Sequence, residues 1–224
     1  MSPALTITLL WVAFAVTHVV LSSLKLRPRF VSVLGELAFQ GVYSLIALVT
    51  FVPMVSVYLR NKHSGPMFWS VAMTPPLEAF VTVVMGVAVL MLAAGAMSPS
   101  PAAITTPADK RAEARGIHFI TRHGVFMAAG LFGLVHLIPN GFASDIAFFA
   151  GFPIFAVIGS IHQDQRKLVT DAKRYVEFHA DTPLIPFTGR RTLRGLREIS
   201  PITYLVGIGL AVTLRYFHPQ WFGN

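Results

Sequence analysis

Apolar side chains fall in long unbroken runs, not in the alternation of a half-buried strand or the one-sided stripe of a soluble helix. Crossing about 30 Å of hydrocarbon takes about 20 mostly apolar residues at about 1.5 Å each. Six runs meet or approach that length: Pro3–Leu24, Leu37–Leu59, Leu77–Met97, Thr121–Ile138, Ala143–Ile161 and Ser200–Phe217. A transmembrane barrel would show alternating ten-residue segments, and these runs are apolar all round. The pattern predicts an all-α, polytopic integral membrane helical bundle of about six spans, with residues 1–224 as one domain. Only Pro139–Phe142 separates the fourth run from the fifth, so the two form a tight hairpin. Pro53 and Pro153 should kink their spans. Ser200-Pro201 is a good N-cap and N1 pair for the sixth. The first run lacks a basic leader and an A-x-A site, so it reads as a retained helix. The stretch His162–Ile199 is the longest loop.

Composition sharpens this picture. The chain is 54% hydrophobic and 12% charged, against about 25% charged for an average soluble domain. It has no cysteine. That excludes disulfide scaffolds, zinc–thiolate fingers, iron–sulfur centres and thiol nucleophiles.

Basic residues exceed acidic ones by 18 to 10, and their placement is uneven. Lys25, Arg27 and Arg29 lie in the first loop; Lys110, Arg111, Arg115 and Arg122 lie in or beside the third. Eight more lie in the fifth. Only Arg60, Lys62 and Arg215 fall on the other side. The positive-inside rule then places the odd-numbered loops in the cytoplasm and both termini outside. Such juxtamembrane charge suits an anionic leaflet, at about 1 kcal/mol per residue. The expected partner is the lipid bilayer, not nucleic acid.

Histidine is abundant, with eight copies beside ten acids. His18 lies within the first span, His123 and His136 near the two ends of the fourth, and His162 at the close of the fifth. Ionisable groups at membrane depth are costly and so are functional candidates. A neutral histidine bonded to a neighbouring helix is the bland alternative. His123 and His136, 13 residues apart, are separated by about 20 Å along one helix and cannot share a metal. Two imidazoles from different helices suit a haem iron in an apolar slot. By depth from the basic face, His18 at about 9 Å matches His123 better than His136, which lies at about 23 Å. Arg122 beside His123, and the His162-x-Asp164-x-Arg166 end, could clamp an anion or merely solvate helix ends.

Several stretches resemble the NnrU family of bacterial membrane proteins. They include Thr17–Ser23, Arg29–Leu48, Ser98–Pro101, Gly116–Gly141, Phe148–Lys167 and Thr182–Phe187. The resemblance implies a multi-pass protein of the bacterial inner membrane linked to nitrite and nitric oxide reduction. Through the related 15-cis-zeta-carotene isomerase, it also implies haem b, with His18 and His136 as iron ligands. His123 and His162 would then be cofactor-site residues that do not ligate iron, and Arg122 and Arg166 propionate partners.

Three positions depart from the pattern. Gly124 stands where the family has proline, and Phe142 where it has aspartate. Gly133 stands where the isomerase has cysteine. The readings to be weighed are a haem protein that senses or reacts with a small gaseous or apolar ligand, and a haem-dependent polyene isomerase. A third is a methyltransferase of the isoprenylcysteine type that uses S-adenosylmethionine. Arg122-His123 and Tyr175…Pro183…Pro186 are similar to that group, but Gln163 and Gln165 replace its paired glutamates.

Overall fold

The computed structural model describes residues 1–103 and 113–222. Lys110 and Arg111, counted above among the basic residues of the third loop, lie outside the described residues. Ten α-helices are described: α1 Pro3–Leu21, α2 Leu26–Leu34, α3 Glu36–Arg60, α4 Pro75–Met97, α5 Gly124–Leu137, α6 Ala143–Phe149, α7 Gly151–Thr170, α8 Ala172–Asp181, α9 Thr192–Glu198 and α10 Pro201–Phe222. A 3-10 turn at Gly116–Phe119 precedes α5.

The helical membrane bundle is as the apolar runs predict, but its spans differ in number. Four helical segments are long and apolar enough to cross a membrane: α1, α3, α4 and the combined Ala143–Thr170. Adding α9 with α10, bent by 92° between them, makes up to five. The fourth predicted span is shorter than expected. Its helix, α5, has 14 residues, or about 21 Å. The reason is a set of long-range contacts: Thr121, Arg122 and His123 precede the helix and enter a buried polar cluster. Conversely, the fifth span continues as helix to Thr170, so the predicted loop from His162 begins with more than two helical turns. That loop also contains α8 and α9.

Two apolar cores hold the bundle. One joins Met91 and Ala94 of α4 to Met127 and Ala128 of α5 and Ala156 of α7, closed by Ile117, Ile120 and Ile199. The other joins Ile7 and Trp11 of α1 to Met54 and Tyr58 of α3 and to Phe148 and Phe149 of α6. Trp11 also donates its indole N–H to Phe148 O at 3.0 Å. Gly151 is what lets it sit there, because a Cβ at that position would lie 2.1 Å from the indole ring. Over forty large apolar side chains remain exposed, chiefly along the long helices. This is the expected surface of a protein whose solvent is hydrocarbon.

Candidate functional site

At the basic end of the bundle a buried carboxylate gathers several donors. Asp164, on α7, is 4% exposed. Its Oδ2 accepts from Arg122 Nε at 2.8 Å, and its Oδ1 accepts from His123 Nε2 at 2.7 Å and from the Tyr175 hydroxyl at 2.5 Å. His179 Nε2 lies 3.7 Å from Oδ2. Arg122 also donates through Nη1 to Thr182 O at 2.8 Å, and its backbone N–H donates to Pro183 O at 2.9 Å. The Thr121 hydroxyl donates to Leu184 O at 2.7 Å.

The cluster thus ties α5, α7, α8 and the 182–184 segment that follows α8 together. Burial pushes the Tyr175 phenol up, and its bond to Asp164 pushes it the same way. It therefore remains a donor. Burial lowers His179 below its ordinary range, with Arg122 acting in the same sense.

His123 spends Nε2 on Asp164, and its Nδ1 is buried with no hydrogen-bond partner. Arg122 donates through Nε to Asp164 and through Nη1 to Thr182 O, so the N–H groups that a propionate or anion clamp would use are already engaged. Sequence reasoning had both residues in view. It missed that Asp164 joins them, because 41 and 42 residues separate the partners and no motif spans that distance.

A second polar group lies where α1 ends. His18 Nδ1 is bonded to Phe14 O at 2.7 Å. Its ring packs on Phe14, Tyr43 and Phe155 at 3.9, 4.9 and 5.5 Å between centroids. Ser22 donates to His18 O and therefore accepts from His162 Nε2, 3.0 Å away. His18 and His162 are thus brought together through one hydroxyl.

Beside them lies Arg166, 5% exposed. Its Nη2 donates to Ala102 O at 3.0 Å, while its Nε is buried and unpartnered. Arg27 repeats the feature: it pairs with Glu36 through Nη2 at 2.5 Å, and its buried Nε has no acceptor. The charges of Arg27 and Arg166 act on one another, and both act on Tyr43. For Arg166, no carboxylate lies within ion-pair distance among the described residues. Arg27 and Tyr43 escaped sequence reasoning, which used Arg27 only to orient the chain.

His136 sits apart from both groups. Its Nδ1 is bonded to Phe132 O at 2.8 Å, its ring stacks on Phe149 at 4.8 Å, and His218 is 6.4 Å away. Phe149 and Phe155 mark the depths of His136 and His18 along α6 and α7, and the six intervening steps span about 9 Å. Phe152 fills the interval, with Trp11 and Phe132 each packed edge-on at 5.0 Å between ring centroids. The structure therefore does not bring His18 and His136 to one place.

A family model described as NnrU protein matches residues 6–224, nearly the whole chain. The chain belongs to the NnrU family. No curated protein and no solved structure matches it.

Within this NnrU chain, the three departures acquire physical meaning. At Gly133, a Cβ would lie 2.4 Å from Phe149 O and 2.8 Å from Phe152 Cβ, so a cysteine there has no room. At Gly124, a Cβ would come within 3.0 Å of Gly95 Cα, where α4 and α5 touch backbone to backbone. Phe142 caps α6 without a side-chain bond. The nearby acid is instead Asp145, fully buried, whose Oδ2 pairs with His63 Nδ1 at 2.9 Å at the opposite end of the bundle.

Haem b asks for an imidazole nitrogen with a free lone pair, an apolar flank and cations for two propionates. Around His18 these are present. Its Nδ1 is held by a carbonyl, as the other ring nitrogen of a ligating histidine usually is, and Nε2 makes no hydrogen bond among the described residues. Phe14 and Phe155 flank it, and the two orphaned guanidinium N–H groups supply positive charge. One haem held by both His18 and His136 does not fit, because packed aromatic rings occupy the space between them.

Proposed function

We propose that this NnrU family protein binds haem b at the basic end of its bundle. His18 would be the one protein ligand to iron, and Arg27 and Arg166 the propionate partners. The observation that carries the reading is the pair of buried, unpartnered Nε–H groups beside a histidine whose Nε2 is free. Leaving such donors unmade costs about 1–3 kcal/mol each, and more when charged; two carboxylates would satisfy them. His162 and Ser22 would fix the backbone carbonyl of His18, and Tyr43 would bound the ring on one side.

When bound, haem with a single protein ligand supplies an iron position open to a small molecule. The link to nitrite and nitric oxide reduction suggested by the family resemblance makes nitric oxide the ligand of choice for such an iron. The basic end would face the cytoplasm of the bacterial inner membrane.

The test is the haem content of the full chain purified in mild detergent after haem-supplemented expression, read as pyridine haemochrome. The reading expects about one haem b per chain, and several-fold less in Arg27→Gln/Arg166→Gln after a detergent wash. A wild-type preparation without haem overturns it.

A further inference from the structure

The segment that follows the buried cluster ends in a sharp corner. α9 meets α10 at 92° across Ile199-Ser200. α10 has 22 residues, enough length to cross hydrocarbon, and it qualifies as a span together with α9. With α10 across the bilayer, a helix at right angles to it just outside its start would lie in the plane of the membrane surface. One side of α9 is committed to the protein: Gly195 sits so close to the 3-10 turn that a Cβ would be 2.7 Å from Gly116 O.

Away from that contact, α9 and the segment before it expose apolar side chains. Leu193 is 70% exposed, and Ile185 and Phe187 are about half exposed. Phe187 has φ +66, a left-handed backbone that a bulky residue adopts only under strain. The bond from Phe187 N to Ile120 O, at 3.1 Å, holds it there. Four arginines lie in the same stretch, and Glu198 follows it directly. Arg191 pairs with Asp181 and Arg194 with Glu198. For Arg190 and Arg197, no carboxylate is within ion-pair distance among the described residues.

We infer that the stretch from Ile185 to Arg197 is a docking surface for the headgroup layer of anionic phospholipid. Ile185, Phe187 and Leu193 would lie below the phosphates, and Arg190 and Arg197 against them. Charge complementarity selects this occupant over a neutral apolar partner, because basic residues are attracted to an anionic leaflet. Long basic side chains can also reach phosphates while the apolar residues beside them sink. The corner at Ser200 sets the depth, since α10 fixes one end of the stretch in the hydrocarbon. The inference is independent of haem.

Because the chain has no cysteine, a nitroxide can be placed at one position alone. Thr188→Cys and Leu193→Cys, each in the full chain, are labelled and reconstituted in phosphatidylglycerol/phosphatidylcholine or in pure phosphatidylcholine vesicles. Thr188→Cys leaves all three apolar residues in place. The expected result with phosphatidylglycerol is strong relaxation by oxygen and weak relaxation by a water-soluble nickel chelate. The depth should shrink in pure phosphatidylcholine and in the Arg190→Gln/Arg197→Gln background. Labels open to nickel in both lipids, or reached by neither reagent because another protein copy covers them, would overturn the inference.

Discussion

His123 Nε2 and Asp164 Oδ1 meet at 2.7 Å in a place where both side chains are at most 5% exposed. The pair joins the start of α5 to the end of α7 and, with Arg122, fixes the level at which the short helix enters the bundle. Removing the carboxylate leaves Arg122 charged and buried without a counter-ion. Asp164→Asn is therefore expected to cost about 3–5 kcal/mol. His179→Ala, which loses only a partly exposed contact at 3.7 Å, should cost less than about 1 kcal/mol. Unfolding in detergent, followed by circular dichroism, compares the two; equal effects would show that the cluster is not organised around Asp164.

Acid should loosen the same end of the molecule. His118 is buried, and that burial lowers it below its ordinary value of about 6.5. It is built in neutral: Nδ1 accepts from Arg115 N and Nε2 contacts Ser98 O. A histidine lowered in the fold binds fewer protons there than when unfolded. Its contribution is therefore complete above about pH 6.5 and lost as pH falls through the folded-state value. Melting temperature should drop between pH 7.5 and 5, and His118→Gln, which cannot charge, should make that drop shallower.

At Gly133 the protein leaves no space for a thiolate ligand. Gly133→Cys must displace Phe149 or Phe152, and overpacking of this kind costs about 1–3 kcal/mol. The variant should melt lower and show no thiolate-type haem spectrum. A fully stable Gly133→Cys protein would mean that α5 and α6 are not packed as described.

At the opposite end, His63 has φ +53 and bonds the buried Asp145 through both its backbone N–H and its ring. Asn tolerates the left-handed backbone better than Ala and can still donate to a carboxylate. His63→Ala should therefore lose about 1–3 kcal/mol, and His63→Asn clearly less, in the same melting assay.

How much of this could be read from the chain depends on the physics of each feature. Long apolar runs are a one-dimensional signal, so α1, α3, α4 and α10 lie where the pattern puts them, within a few residues. α5 falls short because Thr121–His123 look like a span opening by composition, yet they turn aside to meet Asp164. Only a contact 41 residues away decides that. His18, His123, His162 and Arg166 stood out as polar groups in or beside oil. Their pairings did not, since Ser22, Tyr43, Arg27 and Tyr175 are ordinary residues until the fold assembles them. The depth mismatch between His18 and His136 was visible from helical rise alone, and the packed Phe152 between them agrees with it.

The most direct measurement of the central proposal is the Soret absorption of the purified full chain beside His18→Ala and His136→Ala, all expressed with supplemented haem and matched for folded protein. A single ligand at His18 predicts that His18→Ala loses the band and that His136→Ala keeps most of it. Loss in both, with a wild-type spectrum of two axial imidazoles, or no band in the wild type, would contradict it.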